Sequence, residues 1–316
     1  MPWTDHAGKL SHLKAACLLF CLYPALLLLA RWQAGGAIVG GAIVGGLGSR
    51  PITEAIHFSG DWTVRFLILA LAVTPARAVL DWPRVLLLRR MLGVTAALYA
   101  GLHLTLYCAD MKWDPGVVVS EIVLRFYLTI GFVTLLGLAT LAWTSTDNWQ
   151  KRLRQRWKTL HRWVYPLVGL ALFHYALQAK INAVDAIFWF GVFIWLMLWR
   201  ALKRPQQRRL AVLAALAPLA ALATAATEIA WYGLATKVPV WRVFQANLAF
   251  DPTVRPAAQV LVLGLAVVAL AALRRVPWSR AKPPKAKPLA PASLRPAQQQ
   301  PDAAGIGRMG VRRGQH

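Results

Sequence analysis

The chain has 316 residues, 58% of them hydrophobic and 15% charged, with a formal net charge of +24 and a mean hydropathy of +0.47. That composition excludes an ordinary soluble domain and exceeds what a single anchor needs, so it specifies an all-α, polytopic membrane bundle. The charge would suit nucleic acid, but the basic residues fall in short loops and a tail rather than in a soluble basic face or a recognisable module, and that partner is excluded.

Eight apolar runs are predicted to span, at about residues 15–29, 62–80, 88–107, 127–143, 160–179, 184–199, 210–231 and 256–273. Lys9 and Lys14 lead into the first without a small-residue cleavage site behind it, so this helix is expected to stay as an anchor, after a cytoplasmic segment 1–14. Cys17 and Cys21 lie four apart on one face and read as packing rather than as metal ligands or a disulfide, and Cys108 stands alone.

Residues 35–46 repeat the pentad GGAIV. So many glycines disfavour a helix, and the segment lacks the strand, helix and Lys of a phosphate-binding loop, so it reads as an insertion in an outer loop. The acidic stretch 108–125 carries Pro115 and Gly116 and is expected to be a loop, either simply solvated or meeting a partner. After Arg204 and Pro205 the last two spans are rich in Ala, Val and Leu and contain no histidine, which predicts an appended hairpin over 205–273. The segment 274–316 is rich in Pro, Lys, Arg and Gln and is expected to be a disordered basic tail.

With eight spans threaded so that both termini share a side, 27 of the 36 Lys and Arg but only 4 of the 12 Asp and Glu fall on that side. This positive-inside distribution predicts that both termini are cytoplasmic, with the basic loops among anionic lipid headgroups.

Ionisable side chains inside a membrane ask for a reason. His103 lies about four residues, or roughly 6 Å, below the outer end of the third span, and His174 lies at nearly the same depth in the fifth. Two neutral imidazoles facing each other at matched depth can supply both axial ligands of a haem iron. Alternatively, each hydrogen-bonds a neighbouring helix. His161 precedes His174 by 13 residues, roughly 20 Å along an ideal helix and on another face, with Pro166 expected to kink the segment between them. No histidine is available to pair with it near Arg89, Arg90 and Met91. The choices for His161 are ligation beside Met91, a haem propionate, a flavin phosphate, a quinone, or a helix cap. Arg77, Arg84, Arg89, Arg90 and the basic run 151–162 would line the inner mouth, facing a flavin phosphate, haem propionates or only lipid headgroups.

Four ordered segments, IHFSGDWTVRFLILALAVTPAR (56–77), RRMLGVTAALYAGLHLTLY (89–107), RFYLTIGFVTLLGLATLAWTS (125–145) and WKTLHRWVYPLVGLALFHYALQAK (157–180), resemble the signature segments of the MsrQ (YedZ) family within the ferric-reductase-like transmembrane superfamily. The resemblance covers roughly residues 10–204. It implies a six-helix haem-binding core over 15–204 in the cell inner membrane, with two extra C-terminal transmembrane helices beyond it. It also implies a b-type haem fed by the quinone pool or a cytosolic flavin reductase, with electrons passing to a periplasmic, molybdenum-containing methionine-sulfoxide reductase subunit of the MsrP type. His103, His161 and His174 match the family's membrane histidines. His57 matches too, as a helix-start residue, a contact at the haem edge or a partner contact. FMN has been associated with the family, but no FMN motif stands in this sequence.

With no protease triad, phosphate loop or metal-ligand spacing of its own, the chain is expected to carry electrons rather than to reduce methionine sulfoxide itself. Two other readings stay open at this point. One is a cytochrome b-type reductase acting on ferric iron or another acceptor, and the other is a haem-free transporter or scaffold.

Overall fold

The computed structural model describes residues 11–35, 37–39, 42–44, 46–236, 238–249 and 251–275. Most of the segment 1–14 and all of the tail from 276 onward therefore lie outside the described residues. In chain order the elements are α1 (His12–Gln33), β1 (Ala37–Val39), β2 (Ala42–Val44), α2 (Pro51–Val79), a short 3-10 turn (Pro83–Leu87), α3 (Leu88–Asp110), α4 (Pro115–Leu124) and α5 (Phe126–Trp143). They continue with α6 (Asp147–Leu153), α7 (Gln155–His161), α8 (Val164–Ala179), α9 (Val184–Ala201), α10 (Leu210–Ala235), α11 (Val240–Leu248) and α12 (Pro256–Arg275).

Seven of the described helices are long and apolar enough to cross a membrane: α1, α2, α3, α5, α9, α10 and α12. The eighth expected span is α8, which with 16 residues falls short of that length. It is nevertheless integral to the bundle, packing on α5, α9 and α2. The most enclosed span is α2, with 56% of its apolar window buried against 17% for α5. It contacts α1, α3, α8 and α9, a central place in the bundle. Its buried hydroxyls are satisfied locally, Ser59 Oγ donating to the Ile56 carbonyl and Thr63 Oγ1 to that of Ser59, both at 2.9 Å. Cys17 and Cys21 are buried free thiols on α1, and the Tyr99 hydroxyl of α3 donates to the Cys21 carbonyl.

Several sequence expectations are corrected. The second span begins at Pro51 rather than near residue 62, so His57 lies inside α2 and not at its start. The stretch 108–125 is not a plain loop but holds α4. Asp114 caps it, its carboxylate accepting from the N–H groups of Gly116 and Val117 at 2.9 and 3.2 Å, and Pro115 takes the first helical position, where its missing N–H costs nothing. The same Pro and Gly that suggest a loop are here a helix-start signal. His161 and His174 do not share a helix: α7 ends at His161, a turn follows, and α8 starts at Val164. Pro166 falls in the first turn of α8, and the interruption expected of it is this break, since it has no N–H to give to the carbonyl of Arg162 four residues back. The glycine repeat folds as an antiparallel pair, with Ala37 opposite Val44 and Val39 opposite Ala42.

Beyond the six leading apolar helices, α10 and α12 pack on each other and on α9. The amphipathic helix α11 joins them and was not expected from the sequence. All three elements meet at Glu228, whose side chain is 0% exposed. Its carboxylate accepts from Arg255 at 3.2 Å and from Asn247 Nδ2 at 3.0 Å. The far end of α10 also holds the turn after α8. Trp231 Nε1 donates to the Lys180 carbonyl at 3.1 Å, and the Tyr232 hydroxyl donates to that of Ile181 at 2.9 Å. Lys180 there adopts a φ of 51°, an uncommon left-handed conformation for a residue with a side chain.

Candidate metal centre

His103 on α3 and His174 on α8 come together across the bundle. Their ring centres are 6.4 Å apart and their planes lie at 88°. Each ring is fixed from behind by a backbone carbonyl of another helix. His103 Nδ1 lies 2.8 Å from the Ile56 oxygen on α2, and His174 Nδ1 lies 2.7 Å from the Tyr127 oxygen on α5. A carbonyl oxygen can only accept, so each Nδ1 carries the proton and each Nε2 keeps its lone pair. Among the described residues, neither Nε2 enters a hydrogen bond. An Nδ1–H held by a carbonyl with a free Nε2 is the arrangement found in metal-ligating histidines.

The rings also lie close against glycines. A Cβ at Gly60 would stand 3.2 Å from His103 Cε1, and one at Gly131 would stand 2.7 Å from His174 Cε1. Any side chain at Gly131 would therefore displace the His174 ring.

Between the rings opens a cavity of about 500 Å³, within the usual range for cofactor sites. Leu104, Leu128, Phe132, Leu135, Leu138 and Ala171 form much of its apolar wall, and His57, Asp61, Tyr107, Tyr175, Gln178 and Asn182 are among its polar groups. The donor set tests what such a cavity can hold. No group of three or more His, Cys, Asp or Glu side chains converges on a common point among the described residues, so a metal bound only by side chains is not provided for. Two opposed imidazoles in apolar surroundings instead fit an iron whose other four donors come with a flat macrocycle. A metal about 2 Å from each nitrogen sets two ring centres roughly 6 Å apart, close to the 6.4 Å observed. The residues present fit a haem.

The other residues singled out by sequence are not brought here. His161 sits at the opposite end of the bundle, stacked on Trp157 at 3.9 Å between ring centres. Its Nδ1 faces the Trp157 carbonyl at 3.1 Å and its Nε2 faces Ser145 Oγ at 3.3 Å, so both nitrogens are engaged. Arg77 and Arg89 are exposed at the end of α2 and the start of α3, and neither lines the cavity. Arg89 is electrostatically coupled to His161 and Arg200.

Three cavity residues, Asp61, Gln178 and Asn182, were missed by sequence reading. For Asp61 a signal existed: His57, Gly60, Asp61 and Val64 all line the cavity and recur at the spacing of one helix face.

A family model described as "Ferric reductase like transmembrane component" matches residues 59–172, which contain His103 and end two residues before His174. The chain is 38% identical over 164 residues to the protein-methionine-sulfoxide reductase heme-binding subunit MsrQ of Xanthomonas campestris pv. campestris (strain 8004), covering 52% of this chain and 75% of that one. It is 36% identical over 186 residues to the protein of the same name from Xanthomonas euvesicatoria pv. vesicatoria (strain 85-10), with 58% and 84% covered. It is 39% identical over 158 residues to that of Caulobacter vibrioides, with 49% and 75% covered. No solved structure matches the chain.

Proposed function

We propose, from the premise that this chain belongs to the MsrQ family of heme-binding subunits of protein-methionine-sulfoxide reductase, that it is a multi-pass subunit of the cell inner membrane carrying electrons through a b-type haem held by His103 and His174. The observation that carries this reading is the pair of opposed imidazoles, each with Nδ1 anchored on a carbonyl and Nε2 free over an apolar cavity. No cysteine lines the cavity, which favours a non-covalent b-type group.

When bound, the haem supplies a one-electron Fe(III)/Fe(II) couple, and ligation from both sides suits electron transfer rather than oxygen activation. The chain's own residues orient the two ligands and exclude water from the apolar wall. With both termini cytoplasmic, the cavity lies near the periplasmic face, where a molybdenum-containing MsrP-type catalytic subunit would receive the electrons. Quinol or a cytosolic flavin reductase would deliver them at the opposite end, where His161, Arg77 and Arg89 form the basic surroundings suited to an anionic FMN or quinone.

The purified chain in detergent is expected to show a six-coordinate low-spin spectrum whose reduced form does not change under carbon monoxide. A five-coordinate, carbon monoxide-binding spectrum, or a colourless protein, would contradict the reading. Gly131→Val should lower the haem-to-protein ratio severalfold, because its side chain takes the place of the His174 ring. The ratio is read from absorbance against protein mass, and wild-type loading would count against that placement.

A further inference from the structure

Asp61 is the one side chain with a formal charge, histidines aside, among the residues lining the cavity between His103 and His174. It stands on α2 next to Gly60, the residue against which the His103 ring lies. Tyr175, which follows His174 and also lines the cavity, acts on its carboxylate from α8. One turn along α2, the Arg65 guanidinium lies 3.9 Å away, and the side chains of Arg65 and Asp61 are only 32% and 29% exposed. The other titratable groups acting on Asp61 are His57 on the same helix and Asp185 at the start of α9. The wall opposite, from α3, α5 and α8, offers no Lys or Arg.

We propose that Asp61 sets the reduction potential of the haem held by His103 and His174, its carboxylate keeping the couple low while Arg65 opposes it. This rests on the haem reading above and deepens it. An iron porphyrin carries one more positive charge oxidised than reduced, so a nearby anion stabilises the oxidised form. The effect is large where the wall is apolar and the effective dielectric constant is low. A low potential favours giving electrons away, as a subunit that donates to an external acceptor requires. Asp61 lines the cavity beside Tyr175, so its carboxylate stands on the cavity side of α2. The Arg65 guanidinium, which is absent from the cavity lining, offsets only part of its field.

The test is a spectroelectrochemical titration of the full-length chain in detergent, comparing wild type with Asp61→Asn and Arg65→Gln. Asp61→Asn preserves shape and an acceptor oxygen and should move the midpoint positive. Arg65→Gln removes the opposing charge and should move it negative, with the low-spin spectrum and haem content of both variants unchanged. An ion pair serving only to staple α2 would not produce shifts of opposite sign. Midpoints equal to wild type, or two shifts of the same sign, in variants that keep their haem overturn the proposal. Should Asp61→Asn fail to accumulate, Arg65→Gln decides alone: a midpoint that does not move negative overturns it. A wild-type chain without haem overturns the underlying reading, and the proposal with it.

Discussion

His103→Ala and His174→Ala are each expected to purify nearly free of haem. Removing one imidazole takes away one of only two protein donors and leaves the partner ring aimed into an apolar cavity with nothing opposite. Losing an outer partner of a metal ligand typically costs about 10–100-fold in affinity, and losing the ligand itself exceeds that. The readout is the haem-to-protein ratio, with the low-spin spectrum as a second measure. His161→Ala is the matched control. Its ring is occupied by Trp157 and Ser145 at the other end of the bundle, so this variant should keep the low-spin band of the His103–His174 site. Full loading in both His103→Ala and His174→Ala would reject the ligand pair.

Arg255→Ala is expected to be the most destabilising change among α10, α11 and α12, by about 3–5 kcal/mol, because it strands the fully buried Glu228 carboxylate without its counter-charge. Asn247 alone would remain to answer it. Glu228→Gln should cost clearly less. It removes the charge and keeps the shape, and the Arg255 side chain left behind is 30% exposed and reaches water. Thermal unfolding in detergent compares the two, and a larger loss for Glu228→Gln would mean that the pair is not what holds these helices.

Hydropathy located the apolar helices because twenty-residue apolar runs have few alternatives in a bilayer. It did not separate His161 from His174. The break between α7 and α8 lies at Arg162 and Trp163, which Pro166 signalled four residues downstream but hydropathy could not register. It likewise missed α11, whose nine residues, with Trp241 and Phe244 stacked 5.5 Å apart, are too few and too mixed to register as a span. The approach of His103 to His174 was readable because depth follows from residue count along a helix. The carbonyls of Ile56 and Tyr127 were not, since every residue carries a carbonyl and only the packed helices select which one meets an imidazole. Arg77 and Arg89 drew attention through charge alone, and charge near a membrane surface reports topology as readily as a ligand.

The order in which the chain is made bears on the carbonyl anchors. Ile56 and Tyr127 both precede the imidazoles they hold by 47 residues, so by the time the ribosome completes α8 every group that orients the two rings has been synthesised. Trp231 and Tyr232, which clasp the turn at Lys180 and Ile181, emerge about fifty residues later. The groups around His103 and His174 are therefore all present while one side of the cavity rim is still unclasped, and the last helices fasten that rim afterwards.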